Sequence, residues 1–187
     1  LGGGLAFAVG VVLAHSRTIE RSVLPWAIAL KVTPIVAVAP MFTIWFGFGM
    51  LPKVLIAALI TFFPVLINAI TGLRAVNPGA LDLLRSLNAS PLEVFFKLRL
   101  PSALPYLFAA LKVAVTLSLI GAVVAEWSGA GRGLGRVILL AHTNLDLPTL
   151  FAGVLVLASL GIALTAALSF AERRLLFWHE SFQDDRA

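Results

Sequence analysis

The chain has 187 residues, 60% of them hydrophobic and 12% charged, with a net charge of +5 and no cysteine. An average soluble domain is about 45–50% apolar and about 25% charged, so a soluble globule of this size would lack polar surface. The mean hydropathy of +1.01 points to an integral membrane protein instead, and the missing Cys excludes disulfides and thiolate metal sites.

Residues 1–14 (LGGGLAFAVGVVLA) form the first apolar stretch. It is shorter than the ~20 residues that cross ~30 Å of hydrocarbon, and it lacks the basic front of a signal peptide. It reads as a span whose start lies upstream, with one earlier helix before it. Four further spans are expected at 23–47, 53–73, 102–125 and 148–171. In lipid each must be helical, because unpaired backbone groups find no water there. The predicted fold is therefore all-α: one polytopic unit over 1–187, with about five membrane helices visible and six in a full chain. Pro25, Pro34 and Pro40 punctuate the 23–47 stretch and imply kinks.

Counting Lys and Arg between spans orients the chain. Arg17, Arg21, Arg74, Arg85, Lys97, Arg99, Arg173, Arg174 and Arg186 fall on one side, and Lys53, Arg132 and Arg136 on the other. Nine against three places the C-terminus and a loop at 77–101 in the cytoplasm. The basic excess thus follows topology and implies no nucleic acid. Trp26, Trp45, Trp127 and Trp178 fall near span ends, as interfacial anchors do.

The 77–101 loop carries unusually dense local signals. Asn77-Pro78 supplies an N-cap followed by proline at the first helical position, which predicts a short helix over 78–87. Asn88 suits the left-handed turn that ends such a helix. Ser90-Pro91-Leu92-Glu93 is a capping box opening a second short helix over 91–99, with Glu93 and Lys97 paired at i, i+4 and Pro101 closing it. The two helices would meet at a sharp angle and expose Leu83, Leu84, Leu87, Leu92, Phe95 and Phe96. Such an apolar set rimmed by charge marks a protein interface, with a helix seated in a groove. The alternative is an amphipathic segment lying on lipid headgroups.

The spacing of this loop resembles the EAA loop of binding-protein-dependent ABC importer permeases: E-A-A, three residues, G, nine residues, I-x-L-P. Asp82-Leu83-Leu84 stand at the EAA positions, Asn88 at the Gly, Leu98 at the Ile and Leu100-Pro101 at the L-P. The spacing matches throughout while the residue types are only similar. KVTPIVAVAPMFTIWFGFG (31–49), LPSALPYLF (100–108) and GAGRGLG (129–135) resemble the nitrate, sulfonate, taurine, thiamine-precursor and riboflavin branch of that family.

The resemblance implies a mechanism. Two permease copies would form the pore in a bacterial or archaeal inner membrane. Each would seat its loop, through Asp82, Leu83, Leu84, Ser86, Leu87, Asn88, Ala89, Ser90, Pro91, Leu92 and Phe95, in a groove of an ABC ATPase subunit. A periplasmic or lipid-anchored binding protein would deliver the solute. The chain would perform no chemistry and hold no cofactor, ATP and Mg belonging to the ATPase.

Polar residues at depth are the candidates for the translocation path: Lys31, Asn68, Lys112, Thr116 and Glu126. A charge inside a span costs at least ~2.5–3.5 kcal/mol and is functional by default, although Lys31 and Lys112 can also snorkel toward an interface. No acidic residue in the middle of a span offers them a partner, which favours an anionic solute. Asn68, Thr61, Thr116 and Ser118 line a route or join helices. Glu126 reads either as a solvated interfacial carboxylate or as a gate contact. The glycines of 129–135 lack a GK[ST] ending, so they read as an outer turn into a short helix at 134–144 rather than as a nucleotide loop. A secondary transporter of a small anion is the competing class, opposed by the lack of inverted repeats and of an acid–base pair at mid-span.

Overall fold

The computed structural model describes residues 2–15, 21–22, 25–26, 28–29, 32–129 and 131–176. Lys31, Arg17, Arg186 and Trp178 lie outside the described residues. Among the described residues every regular element is helical: α1 (Gly2–His15), α2 (Ile35–Phe46), α3 (Met50–Arg74), α4 (Pro78–Ser86), α5 (Pro91–Val94), α6 (Leu100–Trp127), α7 (Leu134–Thr143) and α8 (Leu147–Leu175). Among the described residues, three helical runs are long and apolar enough to cross a membrane: α3, the run Pro91–Trp127 and α8.

The bundle is built on α3. One face of it packs against α1 through Ala6, Leu13, Phe63, Val65, Leu66 and Ile70, and Ala110 and Ala114 of α6 close the same cluster. Small residues let the backbones approach, since a Cβ at Gly10 would come within 2.7 Å of the Ala69 Cβ. Close helix approach is a main source of association in lipid, where burial alone supplies little. A second cluster joins Ala39 of α2 to Ile56, Val124 and Ala125 at the other end of α3 and α6. At the loop end, Arg74 donates from Nε to the Ala14 carbonyl at 3.3 Å and from Nη2 to the Leu13 carbonyl at 3.1 Å. A cation thus closes the C-terminal turn of α1, whose last carbonyls lack intrahelical donors.

The prolines behave in three ways. Pro40, Pro64 and Pro105 sit inside α2, α3 and α6. At Pro64 the following turn is braced by Asn68, whose Nδ2 donates to the Pro64 carbonyl at 2.8 Å. Pro34 instead interrupts the chain: Thr33 and Pro34 are non-helical, and α2 starts only at Ile35. The 23–47 stretch is therefore not one continuous span. Proline removes a donor and pushes the residue before it into extended backbone, and here nothing rebuilds the helix across it.

Pro101 corrects another expectation. It does not close a short helix; the helix that begins at Pro91 runs through to Trp127. Between α5 and α6 lies a π-helical segment, Phe95–Arg99, with the Leu100 N–H donating to the Phe95 carbonyl five residues back. The wider turn absorbs the proline that follows it, a common setting for a π-bulge.

Candidate functional site

The loop joining α3 to α6 is ordered by its own side chains. Asn77 caps α4, its Oδ1 accepting from the Gly79 N–H at 2.8 Å and the Ala80 N–H at 3.4 Å. Asn88 takes a left-handed φ of 53° after the helix end, a conformation Asn tolerates better than most residues. The capping box is complete: the Glu93 N–H donates to Ser90 Oγ at 3.3 Å, and the Ser90 N–H donates to Glu93 Oε2 at 2.9 Å. Lys97 Nζ adds an ion pair to Glu93 at 3.1 Å. The Ser90 N–H first, then Lys97, hold the Glu93 carboxyl down at about 2. Asp82 meets Arg85 at 3.5 Å, and Ser86 Oγ donates to the Leu83 carbonyl.

The apolar residues of this loop divide between two surroundings. Leu83, Leu87, Leu92 and Phe96 are 60–70% exposed, whereas Leu84 and Ala89 are half-buried. Phe95, expected in the exposed set, turns inward against Ala14, Leu73 and Ala103, and its neighbour Val94 is buried. The two phenyl rings stand edge-to-face at 5.1 Å. Phe95 thus fastens the loop to the bundle while Phe96, Pro91 and Leu92 stay outside.

The described polar candidates do not converge on one site. Asn68 spends its amide on Pro64, and Thr61 Oγ1 donates back to Ala57 and Ala58 within its own helix. Thr116 lines a groove of about 980 Å³ between α6 and α8, with Thr165 and Ser169 among otherwise mostly apolar neighbours. Lys112 forms an ion pair with Glu172 of α8; no acid stands at mid-span, but this partner from a helix end weakens the argument for an anionic solute. Glu172 is buried near the C-terminal end of α8.

Glu126 is not a solvated carboxylate either. Lys53 Nζ of α3 reaches its Oε1 at 3.2 Å, and the Gly135 N–H donates to its Oε2 at 2.7 Å. Lys53 Nζ also donates to the Arg132 carbonyl at 3.0 Å. These partners lie 73 and 9 residues away, and only the second pairing had any signal in the sequence, the Gly-rich turn itself.

A helical bundle with an ordered, apolar loop is compatible with many membrane proteins; a family match is decisive. Residues 5–177 match the binding-protein-dependent transport system inner membrane component family. The chain belongs to this family. A formylaminopyrimidine transport permease protein of Halalkalibacterium halodurans is 36% identical over 184 residues, covering 96% of this chain and 74% of that protein. A riboflavin transport system permease protein of Chloroflexus aurantiacus is 35% identical over 168 residues, 90% of this chain and 63% of that one. The inward-facing MetNI methionine ABC transporter shares the fold, with a TM-score of 0.72 at 20% identity over 93% of this chain and 87% of its own. The protein is thus a permease component of an ABC importer, a multi-pass protein of the inner membrane.

Proposed function

We propose that this permease is driven through its 77–101 loop, which lies in the cytoplasm and seats Leu83, Leu87, Leu92 and Phe96 in a groove of a separate ABC ATPase that holds ATP and Mg. The observation that carries this reading is the contrast within the loop: its polar groups are satisfied locally, yet four large apolar side chains are left 60–70% exposed. Caps and ion pairs give the loop a fixed shape, and a fixed shape with bare apolar side chains suits a hot-spot contact. Two copies of the chain flank one pathway, and a binding protein presents the solute on the opposite side. The C-terminal end shares the cytoplasmic side. The solute is a small molecule of the range that the relatives' names span, from formylaminopyrimidine and riboflavin to aliphatic sulfonates and taurine.

Among the described residues, the Lys112–Glu172 pair between α6 and α8 is an acid–base pair of the kind a proton-coupled carrier would use. Its acid lies in the last turns of α8, far from mid-span, so it ties two helices rather than relaying protons. The deciding experiment is co-purification from membranes. The tagged chain is expected to bring down an ABC ATPase, and Leu87→Asp is expected to abolish it. Solute uptake by the chain alone in liposomes, driven by a proton gradient, would overturn the reading.

A further inference from the structure

We propose that Glu126 is a positioning residue that fastens the Gly-rich turn and α7 to the far end of the long helix, so that movement of the loop reaches the opposite face of the membrane. This rests on the coupling reading above. The run Pro91–Trp127 is one continuous helical run of 37 residues that takes in the π-helical turn and Pro105, about 55 Å at 1.5 Å per residue. Its first turns are the arm of the loop that bears Leu92 and Phe96. Its last turn bears Glu126 and Trp127.

Three separate segments converge on that last turn. The Glu126 carboxylate accepts from Lys53 of α3 and from the Gly135 N–H in the first turn of α7. Trp127 Nε1 donates to the Gly135 carbonyl at 2.9 Å. Lys53 holds the turn a second time through the Arg132 carbonyl. The carboxylate sits where α7 presents unpaired N–H groups and its positive dipole end, with the two charged side chains only 15% and 22% exposed.

The backbone is shaped to this contact. Gly133 has φ 139°, and a Cβ there would fall inside the Glu126 carboxylate. At Gly135 a Cβ would press on Val123 at 3.0 Å. Gly133 and Gly135 thus let the turn close over Glu126. A rod fixed at one end to this cluster cannot shift without carrying the turn or breaking these bonds.

The chain contains no cysteine, so single reporters meet no background from the permease itself. Gly131 is exposed and a Cβ there meets nothing within 4 Å, which makes Gly131→Cys a reporter of the turn. The exposed Ser86 provides Ser86→Cys as a reporter of ATPase seating. Both are read by the rate of modification with an impermeant maleimide, using the full chain assembled with its ATPase in nanodiscs, nucleotide-free or trapped with ATP and vanadate. With Glu126 present, the Gly131→Cys rate is expected to differ at least about fivefold between the two states, the low end of typical site–site coupling. In Glu126→Gln that ratio is expected to fall below about twofold while Ser86→Cys stays protected by the ATPase.

An unchanged ratio in Glu126→Gln, or no difference between states in the parent, overturns the proposal with the coupling reading intact. Loss of Ser86→Cys protection in the parent overturns both. Should Glu126→Gln fail to fold, Lys53→Gln loosens the same cluster from α3: a collapsed ratio supports the proposal and an unchanged one refutes it.

Discussion

Glu93 and Glu126 occupy opposite ends of one helix and make matching contacts. Each accepts a backbone N–H at the start of a helix, from Ser90 at 2.9 Å and from Gly135 at 2.7 Å. Each pairs with a lysine, Lys97 at 3.1 Å and Lys53 at 3.2 Å. The difference lies in reach. Glu93 closes a turn with residues three and four positions away and ties nothing else down. Glu126 joins α3, α6 and the turn before α7, and its carboxylate is far less exposed. The same chemical group therefore shapes a surface at one end and welds a bundle at the other.

The largest way to break this contrast is at the loop end. Leu87→Asp or Leu92→Asp puts a charge where an apolar contact is expected, costing at least ~2 kcal/mol of binding at a hot spot. ATPase capture should fall at least ~30-fold while thermal stability in detergent stays unchanged. At the far end the pattern should invert. Glu126→Gln removes a charged partner from Lys53 and from the Gly135 N–H, a loss of roughly 1.5–3 kcal/mol, seen as a lower Tm with ATPase capture retained. If both substitutions shift both readouts equally, the two ends are not distinct.

The Lys112–Glu172 pair sharpens the comparison between them. Lys112 is one-third exposed and Glu172 one-tenth, so Lys112→Met leaves a mostly buried carboxylate unsatisfied, a loss of about 1–3 kcal/mol. The double variant Lys112→Met/Glu172→Gln should recover most of it, as read by thermal unfolding. A double variant as unstable as the single would mean that the pair does more than tie α6 to α8.

The smallest effect belongs to Glu93. Its carboxyl is held at about 2, against an ordinary value of 4.5. A depressed value means that the capping box contributes fully above pH about 4.5 and is lost as pH falls toward 2. A carboxyl 13C titration should show a midpoint near 2 in the parent and a higher one in Ser90→Ala or Lys97→Met. Amide exchange at 90–94 should quicken several-fold in Ser90→Ala, with no change in global Tm.

What was legible in the sequence follows the same division by reach. Asn77-Pro78, Asn88 and Ser90-Pro91-Leu92-Glu93 act over three or four residues, so their types and order suffice, and α4 and α5 lie where the spacing places them. The three long apolar helices were legible from length and hydropathy. The partners of Lys112 and Glu126 were not, because they come from α8 and α3, and no periodicity within one helix reports which neighbour it meets. The inward turn of Phe95 was hidden for another reason. It depends on a π-helical turn that shifts the facing of every residue before it, and Pro101 was read as a stop because a proline breaks a regular helix. Pro34, with the same chemistry, does interrupt one; the surroundings decide between the outcomes.

That π turn fixes the angular setting of everything on its loop side. In a regular helix each residue advances about 100°, and the extra residue within Phe95–Arg99 offsets Phe96, Leu92 and Pro91 against the bundle below by about that amount. Deleting one residue there would leave the rod intact but swing the docking side chains a quarter-turn or more around its axis, like a key cut correctly and inserted at the wrong angle.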